Sequence, residues 1–330
     1  MENNCYLNVS LQLLTRIKEL KEQILNFNDL YNDTITKGKL IKEFQNILNQ
    51  IDNDLNNRSE IDPTKLKRIM GEIDHKYKEN NQEDANQFIS YFINEVFEET
   101  ANKDNIELKI KKLEMDNEIE KKAYDNFYKK FYMKKGYSFI LELFYGIMRI
   151  KKYCKNCDNI ISIKFNAYNM LELPIYELAK QNKYKSLNFY EILKNYFSDI
   201  KSDYSVCKNC NKYEIYTNTS IYTLPKYLII FFARVVDEEY INNNIEYPEI
   251  LHSNRIIINN IKKQKYAIYK LDCVIEHYGN AYSGHYTALC PINMNNQYWY
   301  RFNDNFFDKY DNGYKSKNSV ILLYKFIDNI

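Results

Sequence analysis

The sequence predicts an α+β protein, helices first and strands second. Up to residue 145 the apolar residues recur at helical spacing, and beyond it they alternate or form short blocks bounded by turn residues. Hydrophobic residues make up 45% of the 330, enough to form a real core in one large domain or in two or three smaller ones. The longest apolar run, Tyr227 to Val236 (YLIIFFARVV), is too short to cross a bilayer and carries an arginine, so it reads as a buried strand.

The helical half opens at Cys5. Leu7, Leu11 and Leu14 share one face, and Val9, Leu13, Ile17 and Leu20 line the next. Asn3 or Asn4 stands where an N-cap is expected. A thiol at a helix N-terminus feels the positive end of the dipole, which favours thiolate and suits a nucleophile. Position alone favours a small core residue at the start of a helix. Residues 16 to 60 are charged and helical in pattern, broken at Gly38. DPTKLKRIMGEI then has Pro63 in a first turn and Leu66, Ile69 and Met70 as its apolar face. In NNQEDANQFISYFINEVFEE, a half-buried helix is expected with Gln82, Glu83 and Asp84 in its first turn, where acids suit the dipole. Residues 101 to 135 are rich in Lys and Glu and read as a solvated helical face, before the apolar YSFILELFYGIM closes this half.

The strand half carries two C-x-x-C knuckles, Cys154 with Cys157 and Cys207 with Cys210. Four thiolates so spaced suit one tetrahedral zinc and leave no position for water, so the metal would be structural. A redox C-x-x-C is the alternative. Between the knuckles lie LELPIYE and a helical SLNFYEILKNYF. Strand patterns follow over 213 to 236, 256 to 258 and 266 to 275, with a loop at Asn242 to Asn244, a surface histidine at His252 and a last strand in NSVILLYKFI.

The most informative stretch is CVIEHYGNAYSGHYTALC followed by WYRFNDN. Two strands joined by a turn would set His285 beside Asn303. An imidazole acting as general base needs a third group to fix its tautomer and orientation. The nucleophile it would serve is Cys5. A polar rim histidine is the ordinary alternative for a hairpin.

Charge and composition narrow the classes. The formal net charge is +2, which gives no global case for nucleic acid or membrane. The abundance of Asn, Lys, Ile and Tyr, with 32 tyrosines and one tryptophan, reads as coding bias. The N-terminal residues lack a basic segment followed by an apolar run. An intracellular protein of cytoplasm or nucleus is therefore expected, and its seven cysteines are not expected to form a disulfide framework.

Four segments in order resemble the ubiquitin-specific protease family of cysteine peptidases. NNCYLNVSLQLL is similar to its cysteine box, NNQEDANQF to its Q-Q-D-A-H-E-F segment, the C-x-x-C pair to its zinc ribbon, and HYGNAYSGHYTA with WYRFNDN to its histidine box. The match covers nearly the whole chain. The resemblance implies a papain-like right hand in one domain, 1–330. A helical thumb spans 1–145, zinc-ribbon fingers and part of the palm 146–235, and a β palm with the histidine box 236–330. It implies Cys5 as nucleophile, His285 as base and Asn303 as orienter, with Asp304 supplying charge or supporting the oxyanion. Gln82, Asp84 and Tyr286 would meet the ubiquitin tail. Cys154, Cys157, Cys207 and Cys210 would hold one structural zinc, and no organic cofactor is implied. The implied partners are ubiquitin and ubiquitinated proteins, with a monomeric enzyme and no nucleic acid or membrane.

The chain departs from the family in places. The family usually has an Asn or Asp five residues before the cysteine as an oxyanion donor, a place the numbering here does not reach. Backbone N–H groups, Asn3, Asn4 or Asn8 would serve instead. Position 86 is Asn where the family has His, and position 87 is Gln where it has Glu. Three further readings stand beside the hydrolase: a catalytically weak ubiquitin-binding module, a protease for a ubiquitin-like protein, and a zinc-ribbon scaffold for nucleic acid, which the near-neutral charge disfavours.

Overall fold

A computed structural model describes residues 3–28, 34–53, 62–104, 106–110, 112–113, 115, 117–182, 185–202, 204–255, 267–292 and 298–329. The helical half comprises α1 (Cys5–Thr15), α2 (Lys18–Leu25), α3 (Lys39–Asn53), α4 (Thr64–Ile73), α5 (Ala85–Thr100), α6 (Ile106–Lys109), α7 (Glu118–Tyr128) and α8 (Phe139–Phe144). Most side chains of α1 are buried, Tyr6, Leu7, Leu13 and Leu14 completely. A helix apolar nearly all round belongs in a core, and α1 packs between α5 and the sheet described below.

Two helical expectations are corrected. Helix α5 starts at Ala85, with Asp84 as its N-cap, so Gln82, Glu83 and Asp84 precede the helix rather than forming its first turn. The stretch 101 to 135 is not only a solvated face. Tyr124, Phe127 and Tyr128 of α7 are buried, and the Tyr124 ring meets Phe165 edge-on at 5.4 Å. Aromatic rings at helical spacing among the lysines supply the buried stripe that the charge pattern conceals.

The second half contains β1 (Gly146–Cys154), β2 (Ile160–Tyr168), β3 (Leu171–Pro174), α9 (Tyr176–Gln181), β4 (Leu187–Asn188), α10 (Phe189–Tyr196), β5 (Ile200–Lys201) and β6 (Ile215–Thr223). It continues with β7 (Tyr227–Ala233), β8 (Val235–Val236), β9 (Glu239–Tyr240), β10 (Ile245–Glu246), β11 (Ile250–His252), β12 (Ala267–Gly279), β13 (Gly284–Pro291), β14 (Trp299–Asn303), β15 (Phe306–Tyr310) and β16 (Ser319–Asn329). The expected strand at 256 to 258 lies outside the described residues. His252 is half-buried on β11 rather than fully on the surface.

Two sheets organise this half. The larger has the order β15-β14-β13-β12-β16-β7-β3, with β11 on β12, and it is antiparallel except between β3 and β7. The apolar run read as a buried strand is β7, which lies between β16 and the edge strand β3. Strand alternation divides the core. Ile275, Ala288 and Cys290 join the helices on one side, while Val274, Leu289 and Leu322 join α10 and β3 on the other. The smaller sheet, β2-β1-β6-β5, carries both C-x-x-C knuckles at one end. Each knuckle ends in a left-handed residue, Asp158 (φ 53°) and Asn211 (φ 54°), side chains that tolerate this conformation. No helix among the described residues is long and apolar enough to cross a membrane.

Candidate active site and four-cysteine cluster

The site forms where the N-terminus of α1 meets the hairpin of β13 and β14. Cys5 is the first residue of α1, and Asn4 is the N-cap without a side-chain capping bond. On β13, Gly284 precedes His285. The backbone there lies so close to His277 that a Cβ on Gly284 would run into its ring, so only glycine fits. The register Ala288↔Phe302, continued by one residue, sets Asn303 opposite Thr287. His285 is then its diagonal neighbour on the same face, within reach of a side chain. His285 Nε2–H donates to Asn303 Oδ1 at 2.6 Å. That bond fixes the tautomer and leaves Nδ1 as the acceptor.

Asp304 follows the end of β14 in the turn to β15 and is directed mainly to α1. Its backbone is left-handed (φ 48°), its Oδ1 accepts from Asn8 Nδ2 at 2.8 Å, and its Oδ2 lies 3.9 Å from His285 Nε2. Asn8 is three residues after Cys5, on the same side of α1. Of the other amides considered for the oxyanion, Asn3 Nδ2 donates to the Asn80 carbonyl at 2.8 Å, and Asn4 Oδ1 accepts from the buried Lys67 ammonium at 3.0 Å.

The expected ease of ionisation at Cys5 is reversed. Burial pushes its thiol up, and Asp304 adds to the rise against hydrogen bonds from the Tyr286, Tyr6 and Cys5 backbone. Position in sequence reported the helix terminus but not the burial. A thiol so placed stays protonated at rest and needs a base to ionise it.

A cleft of ≈ 450 Å³ runs past this point, lined by Cys5, Gln82, Glu83, Asp84, Glu172 and Tyr286 among others. Gln82 Oε1 accepts from Gly284 N–H at 2.9 Å and so ties the helical half to the hairpin beside His285. The extended backbone ahead of α5 is what gives Gln82 that reach. Asp84 Oδ2 accepts from Gln87 Nε2 at 3.0 Å, and Gln87 in turn accepts from Lys76. The Tyr286 ring packs on His277 at 4.7 Å between centroids, and burial holds its phenol far above the ordinary range. Glu172 and His277 belong to this cleft and were not singled out from the sequence. His277 stands eight residues before His285, which was a signal available in HYGNAYSGHY.

The four knuckle cysteines converge, with all Sγ atoms within 4.8 Å of one another. Cys154 and Cys210 are 3.6 Å apart, Cys157 and Cys207 3.7 Å. A tetrahedron with zinc–sulfur bonds of about 2.3 Å has edges of about 3.8 Å, so the cluster has the size for zinc with all four as ligands. Asn209 Nδ2 donates to Cys157 Sγ at 3.5 Å, the kind of outer contact that steadies a thiolate.

Comparison with known proteins gives one consistent picture. A family model for ubiquitin carboxyl-terminal hydrolase matches residues 1–324. A protein named probable ubiquitin carboxyl-terminal hydrolase from Acanthamoeba polyphaga mimivirus is 29% identical, over 90% of this chain and 71% of its own length. Ubiquitin carboxyl-terminal hydrolase Usp2 of Drosophila melanogaster is 22% identical over 98% of this chain, which spans only 34% of that relative. Among solved structures, the SAGA Ubp8/Sgf11/Sus1/Sgf73 DUB module bound to ubiquitin aldehyde superposes with a TM-score of 0.70 at 19% identity, covering 100% of this chain and 69% of that one. A Ubp8 module bound to monoubiquitin gives 0.69 at 18%, with 100% and 68% covered.

Proposed function

Because this chain belongs to the ubiquitin carboxyl-terminal hydrolase family, whose members are cysteine-type deubiquitinases, we propose that Cys5, His285 and Asn303 cut the peptide or isopeptide bond after the C-terminal glycine of ubiquitin. The observation that carries the reading is the 2.6 Å bond from His285 Nε2–H to Asn303 Oδ1, on the hairpin that donates a backbone N–H to Cys5.

The steps follow from that arrangement. His285 Nδ1 takes the Cys5 proton as the thiolate attacks the glycine carbonyl carbon. The resulting oxyanion is met by N–H groups of the first turn of α1, whose dipole favours negative charge there. The imidazolium then protonates the leaving amine, and the C–N bond breaks to leave a thioester. Water, deprotonated by the same imidazole, adds to the thioester, expels the thiolate and releases the ubiquitin carboxylate. Asp304 stands close enough to favour the imidazolium electrostatically. Asn303 contributes orientation without charge.

The cleft suits a basic peptide. Glu83, Asp84 and Glu172 line it, so the acidic character expected at position 87 in the family is supplied by neighbours of Gln87. Tyr286 and Gln82 border the path towards Cys5. Zinc, held by Cys154, Cys157, Cys207 and Cys210, would fix the far end of the smaller sheet and take no part in the chemistry, because a four-thiolate site has no open position. The same domain frame supports the thumb, fingers and palm division at 145 and 235. A monomer in cytoplasm or nucleus is the simplest setting for free thiols of this kind.

Ubiquitin carrying a C-terminal thiol-reactive group tests the reading. A covalent adduct mapped to Cys5 is the expected result. Tight ubiquitin binding without an adduct would replace the hydrolase by a binding module. Adducts with a ubiquitin-like protein alone would reassign the substrate.

A further inference from the structure

We propose that Glu276 and Arg301 form a positioning ion pair that sets the strands of His285 and Asn303 against each other and balances the charge beside the imidazole. The proposal rests on the reading of His285 as the base.

Glu276 lies on β12 and is fully buried. Its two carboxylate oxygens receive five hydrogen bonds. Arg301 on β14 donates from Nε at 2.9 Å and from Nη2 at 3.0 Å in a fork. The hydroxyls of Thr287 on β13, Ser316 and Tyr278 donate at 2.6, 2.5 and 3.0 Å. The guanidinium also lies over the Tyr310 ring at 4.2 Å. One carboxylate therefore binds three adjacent strands. A buried ion pair of this kind adds little net stability compared with apolar residues of equal volume, so its place in the fold calls for another use.

The place is specific. Thr287 is two residues from His285 on β13, and Arg301 is two residues from Asn303 on β14. Alternation puts all four on one face, with the ion pair one pleat repeat, about 7 Å, below the imidazole and the amide. The His285–Asn303 bond is diagonal between strands, so it needs the register of β13 on β14 held where Ala288 faces Phe302. Glu276 is paired with Thr287 in the register of β12 on β13, and Arg301 reaches across β13 to the same carboxylate. The network thus fixes the two strands that carry the base and its orienter.

Its charges are balanced, which matters for a base. The groups around His285 are Asn303 from β14, Asp304 from the turn after it, and Tyr278 and His277 from β12, with Cys5 of α1 as the thiol it is read to serve. Around Glu276 and Arg301 are Thr287, Ser316, Tyr278, Tyr310 and Tyr247, with Asp308 opposite Arg301 on β15. Removing the carboxylate alone leaves an uncompensated guanidinium that opposes imidazolium. Removing the guanidinium alone leaves a carboxylate that favours it.

The test compares Glu276→Gln, Arg301→Gln and the double variant with the wild type, measuring kcat, KM and the pH profile of kcat/KM on a ubiquitin C-terminal fluorogenic amide. We expect kcat to fall severalfold in each with KM for ubiquitin changed less than about twofold. The acid limb should move down by about half a pH unit in Glu276→Gln, up by a similar amount in Arg301→Gln, and return in the double variant. Acid limbs that superimpose on the wild type in all three, with only melting temperature lowered, would reduce the pair to a structural one and overturn the proposal. Where a single variant fails to fold, the double variant and Thr287→Val decide. A severalfold loss of kcat with KM retained supports positioning, and unchanged kcat in both overturns it. Wild-type protein that shows no Cys5 adduct with the reactive ubiquitin would instead bring down the catalytic reading itself.

Discussion

Asp304→Asn isolates a charge without disturbing its surroundings. The new side chain keeps an oxygen for the bond from Asn8 Nδ2, now 2.8 Å, and differs only in losing the negative charge. Asp304 Oδ2 is 3.9 Å from His285 Nε2, and the side chains are 42% and 41% exposed. Two unit charges at that distance interact by about 1 kcal/mol in a water-like dielectric and by about 4 kcal/mol at an effective constant of 20. Half-exposed groups belong near the screened end, so the imidazolium loses about 1 to 1.5 kcal/mol, roughly five- to tenfold in rate. Asp304 also opposes the Cys5 thiolate, secondary to burial. Its removal should therefore make Cys5 alkylate at lower pH even as turnover falls. The assay is kcat/KM on a ubiquitin amide at low and high salt, beside the pH dependence of Cys5 alkylation. A five- to tenfold loss that shrinks in high salt is expected. An unchanged or raised kcat/KM at low salt would refute the argument that the imidazolium is what Asp304 serves.

Asn303→Ala should lower kcat more than Asp304→Asn, because the imidazole loses the bond that orients it, while Asn303→Asp should retain most activity; comparison of the three kcat values checks the order. Cys207→Ser should reduce bound zinc from about one equivalent to none and lower ubiquitin affinity and melting temperature more than the reactivity of Cys5, since the cluster is closed and held apart from the cleft; metal analysis and titration with ubiquitin measure both. The Tyr6 hydroxyl is buried without a hydrogen-bond partner among the described residues, its ring packed on Phe88 at 5.7 Å. Tyr6→Phe should therefore stabilise the protein by about 1 kcal/mol in urea unfolding, and a loss of that size would show that the hydroxyl has a partner.

The site was legible where short-range pattern carries the chemistry. The C-x-x-C pairs, the alternation about His285 and Asn303, and the cysteine at the start of an apolar helix are all local signals; the structure gathers the four thiols, bonds His285 to Asn303 and starts α1 at Cys5. What could not be read depends on neighbours distant in the chain. Cys5 ionises less readily than a helix N-terminus implies because the hairpin packs over it. Gln82 to Asp84 stay out of α5 because Gln82 is bonded to Gly284, two hundred residues on. Tyr124 and Phe127 look like decoration on a charged helix until β2 is placed beneath them. Glu276 is an acid inside an apolar strand, a visible anomaly, yet nothing in LDCVIEHYG names Arg301 as its partner.

The central claim is that the Cys5 thiol is the group that breaks the bond. It is tested most directly by mixing an isopeptide-linked diubiquitin with wild type and with Cys5→Ala, following cleavage and ubiquitin binding in the same samples. The account predicts cleavage by the wild type, none above background by Cys5→Ala, and equal binding by both, since the thiol contributes little contact area. Cleavage by Cys5→Ala at the wild-type rate would contradict it.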